Sequence, residues 1–189
     1  MSIYERRIFP PLLGLVMRPS NTPTRIAPFT EVNMERSKDD TPGVMAPPPL
    51  IYLGFLVLGL TLDHFWAIRL LPYRWRIPVA VLSIVAGAAL MALGFQEFRR
   101  VGTQVSPLRP STALATGGVY RYTRNPLYIS LTLIYLGIAA AANDLWLLLL
   151  AIPLLVVIRY GVIEREERYL EAKFGDDYRQ YKARVRRWI

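Results

Sequence analysis

The residues best suited to chemistry fall in two stretches. The first is Gly117-Gly118-Val119-Tyr120-Arg121-Tyr122-Thr123-Arg124-Asn125-Pro126-Leu127-Tyr128, which closes a long loop punctuated by Gly102, Pro107 and Pro110. Arg121 and Arg124 bring fixed positive charge, Tyr120 and Tyr128 bring flat surfaces, and Asn125 carries a donor and an acceptor on one side chain. Pro126 marks a helix start, where free backbone N–H groups can meet an anion. Together these groups suit a ligand with a carboxylate, a ribose and an aromatic base. The same basic residues also suit contact with lipid headgroups. The second stretch is Glu164-Arg165-Glu166-Glu167-Arg168-Tyr169-Leu170. Its glutamates can take ribose hydroxyls or an ammonium group, or they can form pairs along a solvated helix, such as Glu164 with Arg168.

Composition removes several kinds of site. There is no cysteine, which excludes disulfides, thiolate metal sites and cysteine nucleophiles. His64 is the single histidine, so a multi-histidine metal site is excluded as well. Hydrophobic residues make up 53% of the chain and the mean hydropathy is +0.27, yet the formal net charge is +9. Those values are compatible only if apolar and basic residues are segregated. The basic pI is therefore read as the cytoplasmic flanks of membrane spans, with the lipid bilayer and not nucleic acid as the partner.

The elements that must position these groups follow from the apolar runs. Residues 1–46 are rich in Pro, Thr and Arg and read as a flexible N-terminal extension. The apolar stretch 8–17 is broken by Pro10 and Pro11 and is not a signal peptide, and Met34 is an alternative start. Four runs long enough to span a bilayer follow, at about 49–71, 77–97, 126–142 and 145–163. Only Asn143 and Asp144 separate the third from the fourth, which predicts a tight helical hairpin. Pro78 and Pro126 are placed at helix starts, and Pro153 predicts a kink in the fourth run. Ala80, Gly87 and Gly94 share one helical face and predict close helix packing. Asp63 and His64 lie about 22 Å along the first run and read as an interfacial polar pair at the outer side. Gln96 and Glu97 end the second run, as a cap, as surface, or as the lining of an entrance.

With four spans, all but three of the 23 Lys and Arg fall on one side, and the positive-inside rule makes that side cytoplasmic. Beyond residue 163, Glu167, Leu170, Phe174, Tyr178, Tyr181, Val185 and Trp188 recur at helical spacing, so the tail reads as amphipathic helices lying on the membrane surface. Gly175 is expected to end one of them and Asp176 or Asp177 to cap the next. The fold expected is all-α integral membrane, with about four transmembrane helices and a cytoplasmic amphipathic tail.

The two motifs, Gly-Gly-Val-Tyr-Arg-Tyr-Thr-Arg-Asn-Pro-Leu-Tyr and then Glu-Glu-Arg-Tyr-Leu-Glu-Ala-Lys-Phe-Gly-Asp-Asp-Tyr-Arg-Gln-Tyr, closely resemble the isoprenylcysteine carboxyl methyltransferase family. That family belongs to a wider group with the phospholipid N-methyltransferases. The resemblance covers residues 47–189, which it implies are the membrane methyltransferase domain. It also implies S-adenosylmethionine as methyl donor, S-adenosylhomocysteine as product, and no metal. The cofactor residues it implies are Tyr120, Arg121, Arg124, Asn125, Pro126, Tyr128, Glu166 and Glu167, with Arg124 and Asn125 at the reaction centre. Asn125 stands where eukaryotic members usually carry His. Transfer from a sulfonium is an in-line displacement, for which alignment and desolvation supply most of the catalysis. With neither His nor Cys at the loop, an already nucleophilic, lipophilic acceptor is expected, methylated at the cytoplasmic face of a bacterial inner membrane. The alternatives are a phospholipid or small-molecule N- or S-methyltransferase of the same group, and a membrane NADPH enzyme of the sterol-reductase type.

Overall fold

The structure is a computed structural model that describes residues 41–103 and 110–188. Residues 1–40, which hold most of the N-terminal extension, and loop residues 104–109 lie outside the described residues. Among the described residues five helices follow one another: α1 Pro48–Phe65, α2 Tyr73–Val101, α3 Pro126–Ala142, α4 Leu145–Ile158 and α5 Glu164–Arg184. A 3-10 turn, Gly118–Arg121, precedes α3, and a π-helical turn, Arg159–Ile163, joins α4 to α5 without a break.

Among the described residues three helical stretches, Pro48–Phe65, Tyr73–Val101 and Leu145–Arg184, are long and apolar enough to cross a membrane, and Pro126–Ala142 is a shorter apolar helix of 17 residues. Their outward faces carry exposed Leu53, Val57, Leu82, Val85, Ile152 and Val156. Such a surface is stable only against lipid or another apolar partner.

Helices α2 and α3 make the closest contact, and the small residues explain it. Ala80, Gly87 and Gly94 are buried, as their shared face predicts. A Cβ on Gly87 would lie 2.8 Å from the Ser130 carbonyl oxygen, and one on Gly137 would lie 3.0 Å from that of Ala80. The two backbones thus approach to a distance that only glycine allows. The α1, α3 and α4 core is tied by tyrosines whose hydroxyls find partners inside it. Tyr52 Oη lies 2.7 Å from Thr132 Oγ1, and Tyr135 donates to the Leu147 carbonyl at 2.9 Å.

The α3–α4 hairpin forms where expected. Asn143 takes the left-handed conformation at φ 54°, and Asp144 caps α4 by accepting from the Trp146 and Leu147 amides at 2.7 and 3.2 Å. The same Asn143 side chain accepts from the Leu70 and Leu71 amides and donates to the Leu71 carbonyl. Those bonds pull residues 66–72 out of the helix, so the first span is helical only to Phe65 and not to residue 71. Asp63 is paired with Arg69 at 2.9 Å at this end of the bundle.

Two further boundaries differ from expectation. Helix α2 begins at Tyr73, which puts Pro78 inside the helix and not at its start. Helix α4, with Pro153 in its interior, is α-helical only to Ile158, and the π-helical turn Arg159–Ile163 completes the expected run to residue 163. Gly175 interrupts α5, where a helix end was expected, with φ 53° and ψ −122°, a conformation open to glycine. Residues 41–46, the end of the predicted extension, lie against the π turn. The Met45 amide donates to the Gly161 carbonyl at 3.3 Å, and Arg165 donates to that of Gly43 at 2.8 Å.

Candidate active site

The C-terminal end of α2, the start of α3, the start of α1 and the first turns of α5 converge at one end of the bundle. They enclose a cavity of about 700 Å³, within the range of small-molecule sites. Its apolar wall includes Met91, Phe95 and Phe98 from α2, Leu127 and Leu131 from α3, and Pro47 to Pro49 at the start of α1. Its polar groups include Tyr120, Arg124, Asn125, Tyr128, Glu166, Glu167, Tyr178 and Tyr181.

The loop before α3 owes its shape to two glycines. Gly118 has φ +52°, and a Cβ on Gly117 would overlap the Glu97 carboxyl. Glu97 is thereby buried beneath the loop, outside the cavity, and Gln96 is exposed. The 3-10 turn that follows buries Tyr120 and leaves Arg121 exposed in a second depression, beside Tyr122 and Arg100. Of the eight residues implied by the resemblance, Arg121 alone does not line the cavity.

The tail folds back onto this loop. Tyr181 donates to the Tyr120 carbonyl at 2.8 Å, and the Ser111 amide donates to Tyr169 Oη at 3.1 Å. The Arg124 amide donates to the Arg186 carbonyl at 3.0 Å. Thr123 Oγ1 and Asn125 Nδ2 both donate to the Arg187 carbonyl, at 3.2 and 2.9 Å. The Asn125 amide nitrogen is thus committed to the tail.

Charge in the cavity is unevenly paired. Glu167 is buried and accepts two bonds from Arg187, from Nε at 3.1 Å and Nη2 at 2.7 Å. Arg124, its side chain only 10% exposed, has Nη1 3.3 Å from Glu167 Oε1. No hydrogen bond forms along that line, and among the described residues Arg124 Nε and Nη1 are buried without a hydrogen-bond partner. Glu166 accepts from Tyr128 Oη at 2.8 Å. Burial in the apolar cavity pushes its carboxyl up to about 7; the bond from Tyr128 works against that shift and the charge of Glu167 adds to it. Burial also raises Tyr120 and Tyr181, and takes Tyr178 to about 12 despite the nearby Arg124.

Arg187 was not legible as a site residue in the sequence. It lies twenty positions past Glu167 in a run of basic residues, and only the fold-back of the tail brings it there. Tyr178 and Tyr181 were read as one face of an amphipathic helix; that face meets the cavity. Among the described residues no three His, Cys, Asp or Glu side chains come together as metal ligands.

A helical bundle with a largely apolar cavity at one end, into which Arg124, Glu166 and Glu167 are gathered, has the make-up of a membrane protein with a small-molecule site. Comparison with known proteins gives its class. The family model for Phospholipid methyltransferase matches residues 75–177, from α2 into α5, and includes the first motif and the second as far as Asp177. A relative from Haemophilus influenzae, described as an uncharacterized protein, is 46% identical over 63 residues, which is 33% of this chain and 100% of the relative. No solved structure matches the chain. The chain belongs to the phospholipid methyltransferase family and is an S-adenosylmethionine-dependent methyltransferase. Its helices and its bacterial relative support a bacterial membrane as its location.

Proposed function

We propose that this enzyme methylates a lipophilic or amphiphilic acceptor, as isoprenylcysteine carboxyl methyltransferase-like proteins do, at the cytoplasmic face of a bacterial inner membrane. On this reading all four apolar helices span the bilayer and residues 47–189 form the catalytic domain, with residues 41–46 at its rim. The observation that carries it is Arg124. A buried guanidinium with two nitrogens that lack hydrogen-bond partners among the described residues is costly unless an anion completes it. It faces a cavity whose wall is apolar along α2 and the start of α1.

When bound, S-adenosylmethionine supplies an electrophilic methyl on a sulfonium. Arg124 takes the donor's carboxylate by charge-assisted bonds. Glu166 takes its ammonium or ribose hydroxyls, and Glu167 supports that end of the site. Tyr120, Tyr178 and Tyr181 offer aromatic surface to the base. Asn125 and Pro126 fix the loop from which Arg124 projects. Met91, Phe95 and Leu131 lie deeper along α2 and α3, where an acyl or prenyl chain can enter from the bilayer and water is excluded. Arg121, on the outer face, contacts lipid headgroups.

A second reading, an N-methyltransferase of the same group, is favoured by Glu166 itself. A carboxyl held near 7 is suited to accept the proton that an ammonium acceptor must lose before attack, and the loop sequence alone offered no such base. The family assignment does not favour a dinucleotide reductase of the sterol-reductase type. The test is transfer of a radiolabelled methyl group by the full chain in nanodiscs made from bacterial lipid extract. Label in the organic phase after extraction supports the proposal; label only in water-soluble products, with binding of the donor intact, overturns the lipophilic acceptor.

A further inference from the structure

Arg187 stands behind the cavity wall, in the segment that follows α5. Its backbone is pinned to the loop that carries Arg124, because the Arg187 carbonyl accepts from Thr123 and Asn125 at 3.2 and 2.9 Å. From that fixed point its guanidinium meets Glu167 fork to fork, at 3.1 and 2.7 Å, and reaches Glu164 at 3.4 Å. Both Glu167 oxygens are therefore engaged from the side away from the cavity.

Two arginines thus compete for one buried carboxylate. Arg187 holds it by aligned bonds, whereas Arg124 is at ion-pair distance, 3.3 Å, without a hydrogen bond to it. A small rotation of Glu167 would satisfy Arg124, and the Arg187 fork is what opposes that rotation. We propose that Arg187 is a positioning residue: by saturating Glu167 it keeps the Arg124 guanidinium open to an anionic group in the cavity. Loss of Arg187 releases Glu167 to pair with Arg124 and closes the anion subsite from within. This rests on the reading that Arg124 holds the carboxylate of the methyl donor.

The experiment uses the full chain in nanodiscs and calorimetric affinities for two ligands. S-adenosylhomocysteine carries the amino-acid carboxylate; 5′-methylthioadenosine keeps the nucleoside and thioether but lacks it. Arg187→Gln is expected to weaken S-adenosylhomocysteine about tenfold or more and 5′-methylthioadenosine less than about threefold. In a Glu167→Gln background, where no carboxylate remains to capture Arg124, the same change should cost less than about threefold for either ligand. Arg187→Lys should fall between, because an ammonium cannot reproduce the fork; it also carries the test if the Gln variant fails to fold. Equal losses for both ligands, or equal losses in both backgrounds, overturn the proposal in favour of general support of the fold. If Arg124→Ala leaves S-adenosylhomocysteine binding intact, the underlying reading of Arg124 fails. If Arg124→Ala weakens binding and Arg187→Gln does not, the inference about Arg187 alone fails.

Discussion

Replacing Arg124 by alanine separates a ligand-binding role from a structural ion pair. The side chain is 10% exposed and two of its nitrogens lack hydrogen-bond partners among the described residues, so an anion bound there gains bonds that Glu167, at ion-pair distance, does not supply. Bonds of this charge-assisted kind are worth about 1.5–3 kcal/mol, or roughly 10- to 150-fold in affinity. The cost to stability is smaller. Orphaning a buried carboxylate costs about 3–5 kcal/mol, but Glu167 keeps Arg187 at 3.1 and 2.7 Å, so Arg124→Ala should lower stability by no more than about 1 kcal/mol. The assay is calorimetric titration of S-adenosylhomocysteine into the variant in nanodiscs, alongside thermal unfolding of the same sample. Arg124→Lys should recover only part of the affinity. Wild-type affinity in both Arg124→Ala and Glu167→Gln would refute the reasoning, and a stability loss without an affinity loss would reduce Arg124 to a partner of Glu167.

Other consequences can be checked independently. S-adenosylhomocysteine affinity should weaken as pH falls from 8 to 6, because protonation of Glu166, at about 7, removes the charge that pairs with the ligand's ammonium; Glu166→Gln should abolish that dependence. For the ligand-free protein the sign reverses: this carboxyl is raised above its ordinary 4.5, so its contribution to stability is full below that value and is lost as pH rises through about 7, which pH-dependent unfolding of wild type against Glu166→Gln will reveal. Gly87→Val should lower the unfolding midpoint by the equivalent of about 1–3 kcal/mol, since the α3 backbone lies 2.8 Å from the new Cβ, whereas Gly54→Ala, with nothing within 4 Å, should not. The chain has no cysteine, so Arg121→Cys and Arg74→Cys are clean topology probes: in intact bacteria a membrane-impermeant maleimide should label position 74 and spare position 121, and the reverse pattern would invert the orientation.

Much of this architecture could be read in the sequence because it is written in short-range signals. Asn143-Asp144 between two apolar runs specified the hairpin, and Ala80, Gly87 and Gly94 specified the α2–α3 face. The hairpin in turn required the two motifs to be neighbours, which the bonds from Tyr181 to Tyr120 and from Asn125 to Arg187 express. What escaped depends on contacts distant in sequence. The early end of α1 follows from Asn143 capturing the Leu70 and Leu71 amides, and no local signal near residue 66 announces that. The outward turn of Arg121 follows from the 3-10 geometry after Gly118, where a helix or a strand would have aimed it elsewhere. Arg187 is one of several basic residues in a tail whose fold-back is set by burial of Tyr178, Tyr181 and Trp188. The raised carboxyl of Glu166 is a property of the assembled cavity, so the sequence offered a glutamate but not a base.

The central claim is that this family member holds its methyl donor in the cavity between the start of α3 and α5. An experimental structure of the full chain in lipid with S-adenosylhomocysteine tests it most directly. The account predicts the ligand in that cavity, its carboxylate within hydrogen-bonding distance of Arg124 and its ammonium or ribose facing Glu166. A ligand seated elsewhere, or folded protein that binds none at saturating concentration, would contradict it.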